Sequence, residues 1–226
     1  MSTLYLVATP IGNLGDLSPR AREILSTVDF IAAEDTRVTQ KLLTACELPR
    51  KPMISYYEHN RRARGEVVLE RMLGGETCAL VTDAGTPAVS DPGEDLVALC
   101  AEHDIPVIPV PGCCAAVCAL AASGLPTGRW CFEGFLSVNK KARREHLDAL
   151  EGEKRTMIFY EAPHKLCATL RDLAAAFGED RRLSLSRELT KLHEQTLRMT
   201  LGEAMRYFDE NPPRGEFVLI VEGAPD

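Results

Sequence analysis

The 226-residue sequence has no C-x-x-C pair, no H-E-x-x-H or comparable metal-ligand spacing, no G-x-G-x-x-G and no Walker loop. Zinc-module, zincin, dinucleotide-fingerprint and P-loop readings are therefore unsupported. A G-x-S-x-G elbow is missing too, and neither His164 nor His193 has a Ser or Cys in a nucleophile setting nearby, so a hydrolase triad finds no support. Basic residues are in deficit: 26 Lys and Arg against 33 Asp and Glu give a net charge of −7, which excludes general basicity as a means of gripping bare nucleic acid. There is no internal repeat, low-complexity linker or acidic tail. The opening Met1-Ser-Thr-Leu-Tyr-Leu-Val-Ala8 lacks the basic-then-apolar layout of a signal peptide and reads as a strand. Ile105 to Gly128 carries no charge over 24 positions, but Pro106, Pro109, Pro111 and Pro126 with Gly112 and Gly124 cut it into pieces too short to span a bilayer. No membrane and no metal are expected.

What is present is the composition of a globular protein, 45% hydrophobic and 26% charged. The eight cysteines, three of them (Cys113, Cys114, Cys118) in an Ala-rich run, read as small buried hydrophobes in a reducing cytoplasm. Apolar runs of strand length alternate with amphipathic helical windows, the pattern of α/β architecture. Strands are expected over 5–8, 29–33, 53–57, 77–82 and 106–110. The helices between them are expected over 18–25 (Ser18 as cap, Pro19 in the first turn), 36–46, 63–73 with Val67, Val68 and Met72 on one stripe, and 94–102. After a helix over 113–125 the pattern changes. Strands at 130–136, 156–160, 183–187, 195–200 and 216–221, with helices at 140–150, 164–177 and 203–209, predict a mixed sheet. The expectation is thus two α/β domains, 1–113 with a mostly parallel sheet and 114–226 with a mixed one, hinged near Pro111 to Leu125.

In open α/β sheets ligands lie beyond the carboxyl ends of strands. After the first strand stands Thr9-Pro-Ile-Gly-Asn-Leu-Gly-Asp16, a tight loop open to close backbone approach. After the second stands Glu34-Asp35-Thr36-Arg37, either a helix cap with an ion pair or a polar active-site wall. The fourth strand delivers Asp83-Ala-Gly-Thr-Pro-Ala-Val-Ser-Asp-Pro-Gly93, eleven residues, nearly all small, where a turn needs two or three. The fifth leads through Pro111-Gly112-Cys113-Cys114 into a helix start that favours an anion. Later strand ends give Glu133-Gly-Phe-Leu136, Tyr160-Glu-Ala-Pro-His-Lys165 and Arg187-Glu-Leu-Thr-Lys-Leu-His-Glu194. Three cationic knots, at Arg61/Arg62/Arg64, Lys140/Lys141/Arg143/Arg144 and Arg181/Arg182, read first as solvated helix faces.

Taken in order, Leu4 to Leu14, Ile31-Ala-Ala-Glu-Asp-Thr-Arg37, Val81-Thr-Asp-Ala-Gly-Thr-Pro87, Val110-Pro-Gly112, Glu133-Gly-Phe135 and Arg187-Glu-Leu-Thr-Lys191 resemble the small-subunit (16S) ribosomal RNA cytidine-2′-O-methyltransferases of the tetrapyrrole-methylase superfamily. The resemblance covers nearly the whole chain. It implies two α/β domains with S-adenosylmethionine in the cleft between them, a homodimer, and small ribosomal subunit RNA as partner. By the same resemblance Pro10 would line the cleft, Asp83, Ala84, Gly85, Ala88 and Val89 would hold the methionine and ribose parts of the cofactor, Cys113, Cys114 and Ala115 would continue that wall, and Phe135, Leu136, Tyr160, Glu161, Glu216 and Phe217 would close over adenine. Glu34, Asp35, Arg37, Arg187, Glu188 and Lys191 would face the nucleotide, with Lys191 and Glu188 preferred for catalysis. The first two cationic knots become candidates for a local RNA-binding rim. Relatives often carry proline where Cys113 stands, and commonly run some tens of residues past the last strand, where this sequence stops at Pro225-Asp226. A tetrapyrrole methyltransferase and a non-catalytic, cofactor-binding ribosome-assembly factor are the alternatives.

Overall fold

The computed structural model describes residues 2–225, and the chain divides into two compact units with the boundary after Cys114.

The first unit is a five-stranded, all-parallel sheet in the order β3-β2-β4-β1-β5: β1 Leu4–Val7, β2 Phe30–Ala33, β3 Met53–Ser55, β4 Cys78–Val81 and β5 Val107–Val110. Every residue of β2 and β4 is buried, as strands covered on both faces must be. Their side chains alternate between two cores. Ile31, Ala33, Ala79 and Val81 pack with Leu25 of α1 (Pro19–Thr27) and Leu43 of α2 (Thr36–Ala45). Phe30, Ala32, Cys78 and Leu80 face Val68 and Met72 of α3 (Arg61–Leu73) and Leu96 of α4 (Glu94–Glu102). Ser18 caps α1 by accepting from the Ala21 amide, with Pro19 at the first turn as expected. The α3 stripe differs from expectation: Val67 is exposed, and Gly65, Val68, Leu69 and Met72 face inward. A single turn of 3₁₀ helix, Leu14–Asp16, adds to the expected elements.

The second unit holds a mixed sheet in the order β6-β7-β10-β8-β9: β6 Trp130–Phe135, β7 Thr156–Glu161, β8 Arg182–Arg187, β9 Gln195–Thr200 and β10 Phe217–Val221. Only the β6–β7 pair is parallel. Helices α6 (Lys140–Ala149), α7 (Pro163–Phe177) and α8 (Leu201–Glu210) share one core with Met157, Phe159, Leu183, Leu185, Phe217 and Leu219. Helix α5 (Ala115–Ser123) lies on the other face, across β7, β10, β8 and β9. It begins two residues later than expected and buries Ala116, Ala119, Leu120 and Ser123. Its C-terminal carbonyls are capped from β9: Arg198 donates from Nη2 to Ala122 O at 2.5 Å and from Nε to Ser123 O at 3.1 Å.

All eight cysteines are free, but only Cys46, Cys78 and Cys100 are buried, and Cys118 is exposed because α5 turns that position away from the sheet. Among the described residues no helix is long and apolar enough to cross a membrane.

Arg198 places a cation on the negative end of α5, so Arg198→Met is expected to cost about 1 kcal/mol, read as a lower urea midpoint with an unchanged slope.

Candidate functional site

Parallel pairing puts the carboxyl ends of β2, β4, β1 and β5 side by side on one edge of the first sheet. There the loops after β1 and β4 lock together: the Thr9 amide donates to Gly85 O at 2.9 Å and the Gly85 amide to Thr9 O at 3.0 Å. Thr9 Oγ1 donates to Thr82 O, and Thr86 Oγ1 to Cys113 O at 2.8 Å. The β4 loop is sharply folded. Gly85 has φ 87° and Gly93 φ 149°, and two non-glycines, Ala88 (64°) and Ser90 (67°), also sit in the left-handed region, a strained state that concentrates at ligand sites. A Cβ at Gly93 would lie 2.8 Å from Leu80 and 3.0 Å from Ala88, so only glycine lets the loop return onto its strand. This edge gathers Pro10, Asp83, Ala84, Gly85, Ala88, Val89 and Cys113, with Asp83, Ala84 and Val89 exposed.

Four carboxylates stand on the same edge. Asp35 both caps α2 and binds Arg37 through two oxygens, at 3.0 Å from Nε and 2.6 Å from Nη2. Its backbone amide donates to Asp83 Oδ1 at 3.1 Å, and the Asp83 amide donates to Glu34 Oε2 at 3.2 Å. The cap and the polar wall are thus one arrangement. The Arg37 side chain holds Asp35 down to about 2. Burial pushes Glu34 and Asp83 above the usual carboxylate range, aided by neighbouring negative charges. Burial, then the charges of Glu34 and Asp83, raises Asp91 to about 6. Asp91 is absent from the residues singled out by sequence, although its place in the small-residue loop, eight positions after Asp83, is visible there.

In the second unit the carboxyl ends of β6, β7 and β8 and the amino end of β10 share one sheet edge, with Phe135 in register with Tyr160, and Phe217 with both Glu161 and Arg187. Tyr160 meets Phe132 and Phe135 edge-on at centroid distances of 5.1 and 5.6 Å, and its hydroxyl accepts from the Ala116 amide at 3.0 Å. One of the helix-start amides expected to await an anion is therefore already bonded. Phe135 is exposed, whereas Leu136 and Phe217 are core residues. Glu161 is also buried, accepting from Thr169 Oγ1 at 2.5 Å and the Ala162 amide at 2.8 Å, so these three side chains are held within the unit's own packing.

The β8–β9 hairpin carries Lys191. Its Nζ donates to Glu188 Oε1 at 3.0 Å and Glu216 Oε2 at 2.8 Å, and the Glu216 amide donates to Glu188 Oε1 at 3.1 Å. Glu216 thus groups with the Lys191 cluster in addition to lying near the aromatic residues. Glu188 (φ 51°) and Thr190 (φ 67°) are left-handed, and a Cβ on Gly215 would collide with the Glu188 side chain. Burial opposes the charge of Lys191, but Glu216 and Glu188 outweigh it and hold its pKa above the ordinary value; the Lys191 hydrogen bond holds Glu188 low. Arg187 Nε, Thr190 Oγ1 and Gln195 Oε1 are buried here with no hydrogen-bond partner within the protein. His164 and His193 are exposed. No group of three or more His, Cys, Asp and Glu side chains among the described residues is placed to hold a metal.

Because native Asp91 titrates near 6 against an ordinary 3.8, the folded state binds the extra proton between those values and stability falls as pH rises through that window. Asp91→Asn is therefore expected to raise Tm at pH 7.5, by roughly 2–4 °C for each kcal/mol relieved. The gain should shrink toward zero as pH approaches 4; a gain independent of pH would show that ionisation is not its source.

The profile of the tetrapyrrole (corrin/porphyrin) methylases matches residues 3–205. A protein of Synechocystis sp. named ribosomal RNA small subunit methyltransferase I is 55% identical over 99% of this chain and 80% of its own length. One of the same name from Escherichia coli O157:H7 is 48% identical over 97% and 77%. Among solved structures, uroporphyrin-III C-methyltransferase from Thermus thermophilus, complexed with S-adenosyl homocysteine, superposes with a TM-score of 0.64 at 17% identity, covering 97% of each chain. On its sequence and its fold, the chain belongs to the ribosomal RNA small subunit methyltransferase I family, within the tetrapyrrole methylases.

Proposed function

We propose that this protein transfers a methyl group from S-adenosylmethionine to the ribose 2′-oxygen of a cytidine in small-subunit (16S) ribosomal RNA, acting as a cytoplasmic homodimer on the assembled subunit. The observation that carries the reading is Lys191, fixed as a cation by two carboxylates in a hairpin with three orphaned polar atoms.

The residues present fit the cofactor. In the first unit, the glycine-bearing loop with exposed Asp83, Ala84 and Val89 offers backbone and a carboxylate to the amino-acid and ribose parts. In the second, exposed Phe135 beside Tyr160 offers an aromatic surface to adenine. When bound, S-adenosylmethionine supplies a methyl carbon made electrophilic by its sulfonium. The chain's own groups do the rest. A ribose hydroxyl is a poor nucleophile at neutral pH, so negative charge growing on its oxygen needs a cation. Lys191, with its pKa held high, keeps its proton and serves as that cation, not as a base. Glu188 and Glu216 hold its ammonium in place before substrate arrives, so little reorganisation is needed. Glu188, ionised through the neutral range, accepts the hydroxyl proton and, having low affinity for it, passes it to solvent. Arg187 supplies a second positive charge, and its unpartnered Nε is available to the nucleotide. Glu34, Asp35 and Arg37 form the nucleotide-facing wall of the first unit.

Labelled methyl from S-adenosylmethionine should appear on one cytidine ribose of small subunits lacking the modification and not on a free tetrapyrrole, the acceptor class suggested by the uroporphyrin enzyme's name. Label on the tetrapyrrole alone, or bound cofactor with no transfer to either, would overturn the reading. Lys191→Ala is expected to lower kcat by about 10²–10³-fold with cofactor affinity by calorimetry unchanged. Gly215→Ala, which displaces Glu188, should lower kcat in the same direction but less; wild-type turnover in Lys191→Ala would remove Lys191 from the mechanism.

A further inference from the structure

Helix α6 is charged against its own dipole. Lys140, Lys141, Arg143 and Arg144 fill four of its first five positions with no acidic residue in the first turn, and Glu145 and Asp148 follow toward its C-terminus. Cations at the positive end of a helix, and Lys-to-Glu pairs running in the less favourable direction, both work against helix stability. Internal pairing does not compensate. Lys141 and Glu145 stand 3.7 Å apart with the lysine side chain 85% exposed, and Arg144 and Asp148 stand 3.7 Å apart with the arginine 84% exposed. Lys140, also exposed, forms no ion pair among the described residues. Arg143 alone is structural, 13% exposed and 2.7 Å from Asp172 of α7. Between α6 and α7 runs a groove of about 480 Å³, lined by the cations Lys140, Arg143 and Arg144, by Asp172 and Asp148, which pair with Arg143 and Arg144, and by apolar Leu147 and Ala176.

In the first cationic knot Arg61 is tied into the fold by Glu58, Glu94 and Asp95, an ion-pair cluster that joins α3 to α4, while Arg62 and Arg64 are exposed; the α6 knot presents three exposed cations, Lys140 and Arg144 of which line the groove. In a chain of net charge −7, a solvent-facing cationic end maintained at a cost to its own helix implies an anionic occupant outside the fold. We propose that Lys140, Lys141 and Arg144, with the adjoining groove, form the surface on which the substrate RNA's phosphate backbone docks. The assignment rests on the RNA-methylation reading above and names the contact that seats the substrate. Arg143 contributes by holding α6 against α7.

The test is the triple variant Lys140→Glu, Lys141→Glu, Arg144→Glu, with Arg143 retained. New carboxylates at 140 and 141 suit the dipole, whereas those at 141 and 144 stand four residues before Glu145 and Asp148 at a like-charge cost of similar size, so its Tm should stay close to that of the wild type; calorimetric affinity for S-adenosylmethionine should be unchanged. Affinity for small ribosomal subunits should fall at least about tenfold at low salt, and the slope of log K against log salt should flatten by roughly 2–3, at about 0.7–0.9 for each phosphate that the variant leaves unneutralised. Unaltered affinity and slope would overturn the assignment, as would a marked drop in Tm, also shown by the Lys140→Gln, Lys141→Gln, Arg144→Gln variant, which would place these cations in the fold. Binding slopes are read without turnover. If the wild type binds subunits with a steep salt slope that the variant loses, yet labels no cytidine, the methylation reading fails while the docking surface stands.

Discussion

Two four-residue strands, Phe30–Ala33 and Cys78–Val81, are buried at every position and hydrogen-bonded to each other in parallel, and the arrangement of the first unit follows from that constraint. A strand covered on both faces can be reached only from its ends. Because both strands run the same way, their polar continuations, Glu34-Asp35 and Thr82-Asp83, emerge side by side and bind one another through backbone amides. The antiparallel pairings of the second unit reach the same result differently: β10 enters at the edge where β7 and β8 leave, which brings Glu216 to Glu188 and Lys191.

The two edges have opposite electrostatic characters. In the first unit, carboxylates crowd one another and Asp91 is driven to about 6. In the second, a single ammonium sits between two carboxylates, so Glu188 is held low and Lys191 high. The first edge therefore contains one carboxyl, Asp91, that exchanges its proton near 6, and the second contains groups whose charges are fixed through the neutral range.

Much of this is legible from residue patterns. Continuous apolar runs such as Phe30-Ile-Ala-Ala33 leave little choice but a buried strand, and the Ser18-Pro19 pair announces a helix start. The long run of small residues from Asp83 to Gly93 announces a long, tightly folded loop at a strand end without any geometry. What is not legible depends on which neighbours the fold supplies. Val67 and Leu69 are both apolar, and only packing against α4 decides that the second is inside. Glu161, Leu136 and Phe217 border the right edge by position, yet Thr169 and the helical core claim their side chains. The shift of Asp91 depends on burial and on the charges of Glu34, far away in sequence, and nearby Asp83, and no spacing rule encodes it.

The cap that Arg198 places on α5 has a consequence for motion. Strand β9 is one of the sheet's two outer strands and forms one arm of the hairpin that carries Lys191. Outer strands normally peel away at small cost, but here peeling would also strip α5 of the guanidinium on Ala122 and Ser123. The hairpin and the helix on the opposite face of the strands must therefore loosen together, and a loop at the rim of the sheet acquires the rigidity of an element packed across its middle.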